Sequence, residues 1–309
     1  SGSLTSPENA TSVPMPYPCV AMYLSIASFQ RTASTRLPTT TISTLAVIGL
    51  VALWTLVSTS GLLPQGYLPT PMELYKEMLT LLKDGYKSES LWQHIGISLF
   101  RTLAGFAAGV ALGVPLGLLT GYSYYGSAIA SPIMAFLRPI PPIAFIPMVV
   151  LYFGLGEMGK VVLIFWTSFN YVHVNAHAGA ANVPIAYLRA ARSLGMSKAQ
   201  VFTQVVLPAS IPQIFTGLKV AMALSWAVVV AAELTGAQSG LGYMIADAAL
   251  TFRIPVVFIG IALIGVIGLA GFRIVGRIAG LLPAGGFSRC FPAPHGDAEL
   301  SNVIRQGKN

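Results

Sequence analysis

Charge is what this sequence has least of: 10 acidic and 18 basic residues among 309, or 9%, against 54% hydrophobic residues. Soluble domains carry about a quarter charged residues, so a water-facing globular fold is excluded. With a mean hydropathy of +0.71, an integral membrane protein is implied. Cysteine is nearly absent too. Cys19 and Cys290 lie near opposite ends in irregular-looking segments, which leaves no disulfide framework and no zinc spacing. The formal charge of +8 is scattered between apolar runs rather than gathered into a patch. It marks juxtamembrane segments, not a nucleic-acid surface.

What is present in quantity is apolar sequence in runs near the 20 residues needed to cross a bilayer. Spans are predicted near residues 42–63, 94–122, 131–152, 161–181, 211–235 and 255–282, giving an all-α membrane protein of about six helices. Residues 1–40, with Pro14, Pro16, Pro18 and Pro38 among Ser and Thr, read as a flexible segment. Their apolar stretch at 20–29 lacks the basic start and cleavage site of a secretory signal. The membrane domain then covers 41–282, and the Gly-, Pro- and charge-rich residues 283–309 form a tail. Thr70 and Pro71 open an amphipathic helix over 72–82, and residues 238–254 are too polar to span and read as a surface or re-entrant connection.

Within the spans, Gly105, Gly109, Gly113, Gly117 and Gly121 keep an unbroken spacing of four, a seam for close approach of another helix. Pro115 among them predicts a kink. Arg138-Pro139-Ile140-Pro141-Pro142 cannot be helix interior, so the third span is broken or strongly bent at membrane depth, where irregular backbone lines a cavity or is buried in protein. Arg138 beside the break either faces a pathway or snorkels to the interface. Residues 154–160 imitate two nucleotide motifs, Gly154-x-Gly156-x-x-Gly159 and an approximate phosphate loop ending at Gly159-Lys160. Val161 replaces the hydroxyl residue, and the flanks are membrane spans rather than a soluble strand and helix, so a plain glycine turn is predicted.

The fourth span puts Trp166, Asn170, His173 and His177 on one face. His173 and His177, at i and i+4, can share a metal ion, but no third ligand stands nearby. A polar face lining a pathway or bonding other helices is the alternative. Glu233, the lone acid of the fifth span, sits either at a watery vestibule or in a pair with a basic residue of the next loop; Trp226 is a further pathway candidate.

Between the fourth and fifth spans lies a basic, acid-free island, Arg189 to Pro208. Gly195 interrupts a helix, Ser197 with Gln200 forms a capping box for the next, and Pro208 is expected to close the unit. Termini-inside topology collects Arg31, Arg36, Arg189, Arg192, Lys198, Arg273 and Arg277 in the cytoplasm, against Lys76, Lys83 and Lys87 outside. Basic residues decide orientation, so the island is cytoplasmic.

On that side, Ala190, Ala191, Gly195, Val205, Leu207 and Pro208 resemble the coupling-loop signature of permease subunits of bacterial binding-protein-dependent ABC importers. Arg189 stands where the family often has Glu, compatible with the branch carrying taurine, aliphatic sulfonates, nitrate and bicarbonate. Leu68-Pro69-Thr70-Pro71, the Arg138 segment, residues 152–157 and Ala231-Ala232-Glu233-Leu234 are similar to that branch as well. The resemblance implies a type I permease fold in the inner membrane with both termini cytoplasmic. It implies a homodimer surrounded by lipid, two cytoplasmic ABC ATPase subunits, and a periplasmic or lipid-anchored substrate-binding protein. The chain would be a transport subunit and not an enzyme, with no cofactor of its own, ATP and Mg being held by the partner. Coupling would fall to the loop at 186–208, with Arg189, Ala190, Ala191, Arg192, Leu194, Gly195, Met196, Ser197, Leu207 and Pro208 at the ATPase. The cargo implied is a small anion, taurine or another sulfonate, with nitrate, bicarbonate, an aromatic acid or a vitamin precursor as alternatives. A secondary transporter would instead show an internal repeat, and a membrane enzyme would use His173, His177 and Glu233.

Overall fold

The computed structural model describes residues 39–60, 67–87 and 89–281, and among them there is no β-strand. The expectations for residues 1–38 and 282–309 lie outside the described residues. Helix α1, Thr39–Thr59, belongs to a unit of its own; its apolar stretch covers Ser43–Thr59. The second unit opens with α2, Pro71–Asp84, whose first turn is held by a capping box between Thr70 and Glu73. A tight turn at 85–90 follows, and Ser90 with Gln93 caps α3, Leu91–Tyr122.

The rest of the fold is set by the glycine seam. A Cβ placed on Gly105, Gly109, Gly113, Gly117 or Gly121 would press on Ile164, Ser168, Val172, Ala176 or Ala180, respectively, at 2.5–3.2 Å where the side chain is the nearest group. At Gly117 and Gly121 the nearest atom is instead a backbone oxygen, of His173 and His177 respectively. These partners lie on α6, Glu157–Ala181. Each contact advances four residues on both helices together, so α3 and α6 run parallel, backbone against backbone. Pro115 falls inside α3, which continues past it.

Two parallel helices need a return crossing between them. It is supplied by α4, Tyr124–Leu137, a 3-10 turn at Pro142–Phe145, and α5, Ile146–Phe153, with 85° between the two arms. Arg138 and the prolines stand at the bend. The third span is thus a single broken crossing, beginning at residue 124 rather than 131.

The sixteen residues after α6 hold α7, Ile185–Ser193. Next come α8, Lys198–Val201, a π-turn at Phe202–Val206, and α9, Leu207–Leu234. The last three form one rod of 37 residues. This corrects the expectation that Pro208 closes the island and that the fifth span starts near 211. A proline inside an α-helix lacks an N–H and clashes with the carbonyl four residues back. Here the chain widens to an i→i+5 turn, the Leu207 N–H donating to Phe202 O, so the helix runs on through Pro208. Helix α9 is antiparallel to α6, as Ser168–Ser225 and Asn175–Gln213 contacts show. Helices α10, Leu241–Leu250, and α11, Ile254–Leu281, complete the chain, with Gly268, Gly271 and Gly276 of α11 passing Trp226, Met222 and Lys219 of α9.

Each of the six expected spans coincides with a helix or, for the third, with the bent pair. Three helices meet length and apolarity alone, and the bent pair makes a fourth. Helix α6 has 25 residues but carries Asn170, His173, Asn175 and His177, which lower its hydropathy. Its polar side turns to cavities and neighbouring helices rather than lipid.

Candidate functional site

At the end of the bundle where α3 and α6 finish, α7 stops in a Schellman motif. The Gly195 N–H donates to Arg192 O and the Met196 N–H to Ala191 O, with Gly195 at φ +76°. No atom lies within 4 Å of a Cβ added there, so the glycine answers to backbone conformation and not to crowding. Two residues on, Ser197 and Gln200 form the expected reciprocal cap, at 2.8 and 3.3 Å. Ala191 is buried and Met196 packs beside it, against a cluster that includes Leu118, Ala176, Val201 and Val206. Arg189, Ala190, Arg192, Ser197 and Lys198 are exposed, as are Ile185 (63%) and Leu194 (81%). Leu207 and Pro208 are half-buried in the rod. None of the three cations makes an ion pair among the described residues. The island therefore has an anchored inner face and an unpartnered outer one, both apolar and cationic.

Midway along α6, two cavities meet at the bend. A narrow one (≈ 40 Å³) is lined by Trp166, Asn170, Tyr171 and Asn175 of α6 and by Met134, Arg138 and Pro142. A wide one (≈ 220 Å³) is lined by His177 of α6 with Ser131, Met134 and Arg138. The structure thus brings Arg138 together with Asn170 on one side and His177 on the other. The Arg138 side chain is exposed and has no hydrogen-bond or ion-pair partner among the described residues. His173 is buried behind this lining. Its Nε2 and the Nδ1 of His177 lie 3.2 and 3.1 Å from the same Thr120 hydroxyl, which donates to Leu116 O.

Trp226 and Glu233 line neither cavity. Trp226 is packed between α9 and α11. Glu233, 1% exposed, belongs to an ionic knot at the opposite end of the bundle, buried except at Glu157, whose side chain is exposed. Arg101 of α3 donates to Glu233 Oε1 (2.7 Å) and Ser239 O (2.8 Å), and grips both oxygens of Glu157 (2.5 Å each). Ser98 and the Gly242 N–H also donate to Glu233, and Lys160 to Glu157. Glycine is needed at 240 and 242 because a Cβ there would press on the Glu233 side chain. The partner of Glu233 comes from α3, not from the loop that follows it. Arg101 was the residue missed, although it is a lone cation inside an apolar span, the same signal that singled out Arg138.

The family model described as the binding-protein-dependent transport system inner membrane component matches residues 113–281. A taurine transport system permease protein of Escherichia coli (strain K12) is 39% identical over 230 residues, 74% of this chain and 83% of that one. A putative aliphatic sulfonates transport permease protein of the same organism is 35% identical, covering 72% and 82%. A bicarbonate transport system permease protein of Synechococcus elongatus is 32% identical, covering 74% and 84%. Among solved structures, a crystal structure of an amino acid ABC transporter with histidines matches with a TM-score of 0.53 at 20% identity, over 67% of this chain and 97% of that one. That likeness supports the fold alone.

Proposed function

Since this chain belongs to the family of binding-protein-dependent transport system inner membrane components, and is thus the permease of an ABC importer, we propose that its cargo is a small oxyanion, taurine or another sulfonate. ATP is handled by a separate ATPase, and a substrate-binding protein delivers the cargo; the chain is a transport subunit, not an enzyme. In this reading the permease sits in the inner membrane as a homodimer, both termini cytoplasmic, with one ATPase on each copy. Its domain plan is a permease body over 41–282 between a flexible start and a tail.

The observation that carries the coupling role is the outer face of α7 and α8. Ile185 and Leu194 stand exposed beside Arg189, Arg192 and Lys198, with no ion pair to these cations among the described residues. Such a surface fits a groove with apolar walls and acidic rims. Because α8 is continuous with α9 through the π-turn, a push on the island by a closing ATPase dimer tilts a rod that crosses the membrane.

The test is reconstitution of the whole importer in liposomes with its ATPase and binding protein. Taurine or an alkanesulfonate on the binding protein should stimulate ATP hydrolysis and accumulate inside. Stimulation by nitrate, bicarbonate or an aromatic acid in place of every sulfonate would reject the cargo. Failure of the ATPase to co-purify with wild-type permease would reject the docking role.

A further inference from the structure

The two cavities beside Arg138 follow one another along α6. The narrow one draws on residues 166, 170, 171, 174 and 175, the wide one on 174, 177 and 178. They share Arg138, Met134 and Val174. Arg138 follows the 14 residues of α4, about 21 Å of helix, and Val174 stands about 10 Å before the end of α6, so this shared level lies within the spans, toward the end where α6 meets the island. Around it the outer surface of the bend is apolar, with Ile133, Phe136 and Ile143 exposed by 49%, 72% and 49%. A guanidinium that stays charged and has no internal partner is costly against lipid at that depth, so its surroundings are water, ligand or protein. Neither cavity has an Asp or Glu in its lining. An anion meets attraction there without a competing carboxylate.

We infer that Arg138 holds the oxyanion head group of the cargo and passes it from the narrow cavity to the wide one, while Trp166 and Asn170 sort the tail. Arg presents a planar fork that matches two oxygens of a sulfonate, and its long stem reaches both cavities without backbone movement. The tail is sorted by what the narrow cavity offers. The Asn170 amide nitrogen donates to Trp166 O, which leaves its oxygen as an acceptor, and the indole beside it supplies an aromatic surface. An acceptor and a π-face suit the ammonium of taurine or a short alkyl chain. Met134, at the junction, is a flexible side chain that yields as cargo passes.

This site rests on the sulfonate reading above, and the experiment separates the two. Wild-type, Arg138→Lys, Arg138→Gln and Asn170→Asp permeases are assembled with the ATPase and binding protein in liposomes. Uptake of radiolabelled taurine and of methanesulfonate is measured, with the amount of bound ATPase as the folding and assembly control. The inference expects Arg138→Gln to lower uptake of both compounds at least tenfold, and Arg138→Lys, which keeps the charge but loses the fork, to fall between Arg138→Gln and wild type. Asn170→Asp, which adds an anion beside the tail, should penalise methanesulfonate more than taurine, whose ammonium offsets it. Uptake by Arg138→Gln within twofold of wild type, with ATPase bound normally, overturns the site and leaves the importer reading standing. Loss of uptake in Arg138→Lys equal to that in Arg138→Gln overturns the charge argument. Absence of uptake of both compounds by the wild type overturns the sulfonate cargo itself, and with it this assignment.

Discussion

The two ends of the helix bundle use charge in opposite ways. At one end Arg101, Glu157, Lys160 and Glu233 neutralise one another, with Ser98, Ser239 and Gly242 satisfying the remaining groups. At the other, Arg189, Arg192 and Lys198 are exposed and form no ion pair among the described residues. Both ends are equally tight in the seam between α3 and α6, where Gly105 and Gly121 each bring backbone into contact. Packing therefore does not distinguish them; the destination of the charges does. One end closes on itself and fixes where α3, α6, α9 and α10 meet. The other leaves its cations exposed, on the face that the proposed function gives to the ATPase.

The largest effect should come from opening the closed end. Arg101→Met leaves Glu233 buried with no cation, and loss of one member of a buried pair costs about 3–5 kcal/mol. The purified permease should unfold at distinctly lower temperature in detergent, or fail to accumulate in the membrane. The double change Arg101→Met with Glu233→Met should recover part of the loss. Recovery will be incomplete, because Ser98 and the Gly242 N–H lose their acceptor. A double variant as stable as wild type would mean that the knot contributes nothing beyond its own self-consistency.

Next in size is the seam that both ends share. A Cβ at Gly109 would stand 2.5 Å from Ser168 Cβ and 2.8 Å from the Phe169 amide nitrogen, so the helices must separate. Gly109→Val should cost about 1–3 kcal/mol, the range for overpacking a tight core. Gly96, on α3 but away from the seam, has nothing within 4 Å. The same substitution there should cost markedly less, and equal thermal shifts at the two sites would refute the seam.

Much of this architecture was readable from the residue order, for local reasons. The glycine period is written within 17 residues, the Ser197–Gln200 cap within four, and the break at Arg138 within five. The knot was not readable, because Arg101 and Glu233 are 132 positions apart and each looks like an isolated oddity until the fold joins them. The charge of Glu233 alone points to water or to a basic residue of the adjacent loop. What neither choice contained was a cation on a helix three crossings earlier. The continuation of the rod through Pro208 was hidden for a different reason: proline reads as a stop, and the π-turn that absorbs it leaves no compositional mark. Of the pathway candidates, Arg138, Asn170 and His177 line the two cavities at the bend, because helical spacing and the break are local signals, whereas Trp226 is packed in the interior.

At the open end, the expected signature is a functional loss out of proportion to stability. Gly195→Val forces a β-branched residue to φ +76°, a local strain on the order of 1–2 kcal/mol. Nothing crowds the site, so the body of the permease should keep its unfolding temperature within a few degrees. ATPase attachment measured by co-purification should nevertheless fall, and Gly195→Asn, which tolerates this conformation better, should lose less. Charge reversal at Arg189 and Arg192 should weaken attachment in the same assay, and added salt should weaken the wild type in the same direction. An ATPase that stays attached and fully coupled in Gly195→Val would erase the functional contrast between the ends.

The smallest effect concerns a surface pair near the closed end, which tests whether that end owes its stability to buried or to exposed charge. Asp247 of α10 accepts from Lys87 Nζ (2.6 Å) and from the Tyr86 hydroxyl (2.7 Å). These contacts, Lys87 first, hold the Asp247 carboxyl below its usual pKa. A carboxyl whose folded pKa is depressed lends stability above its unfolded pKa, and that stability is lost as pH falls through the folded value. Nothing should therefore change between pH 8 and pH 5 on account of this group, and a decline should begin only below about pH 4, the ordinary carboxylate range. The Lys87 side chain is 51% exposed and that of Asp247 19%, and ion pairs open to solvent contribute little. Asp247→Asn should flatten the acid limb slightly while leaving the neutral-pH unfolding temperature almost unmoved. A loss at neutral pH rivalling that of Arg101→Met would show that the surface pair, and not the knot, fastens α10 to the loop at 85–90.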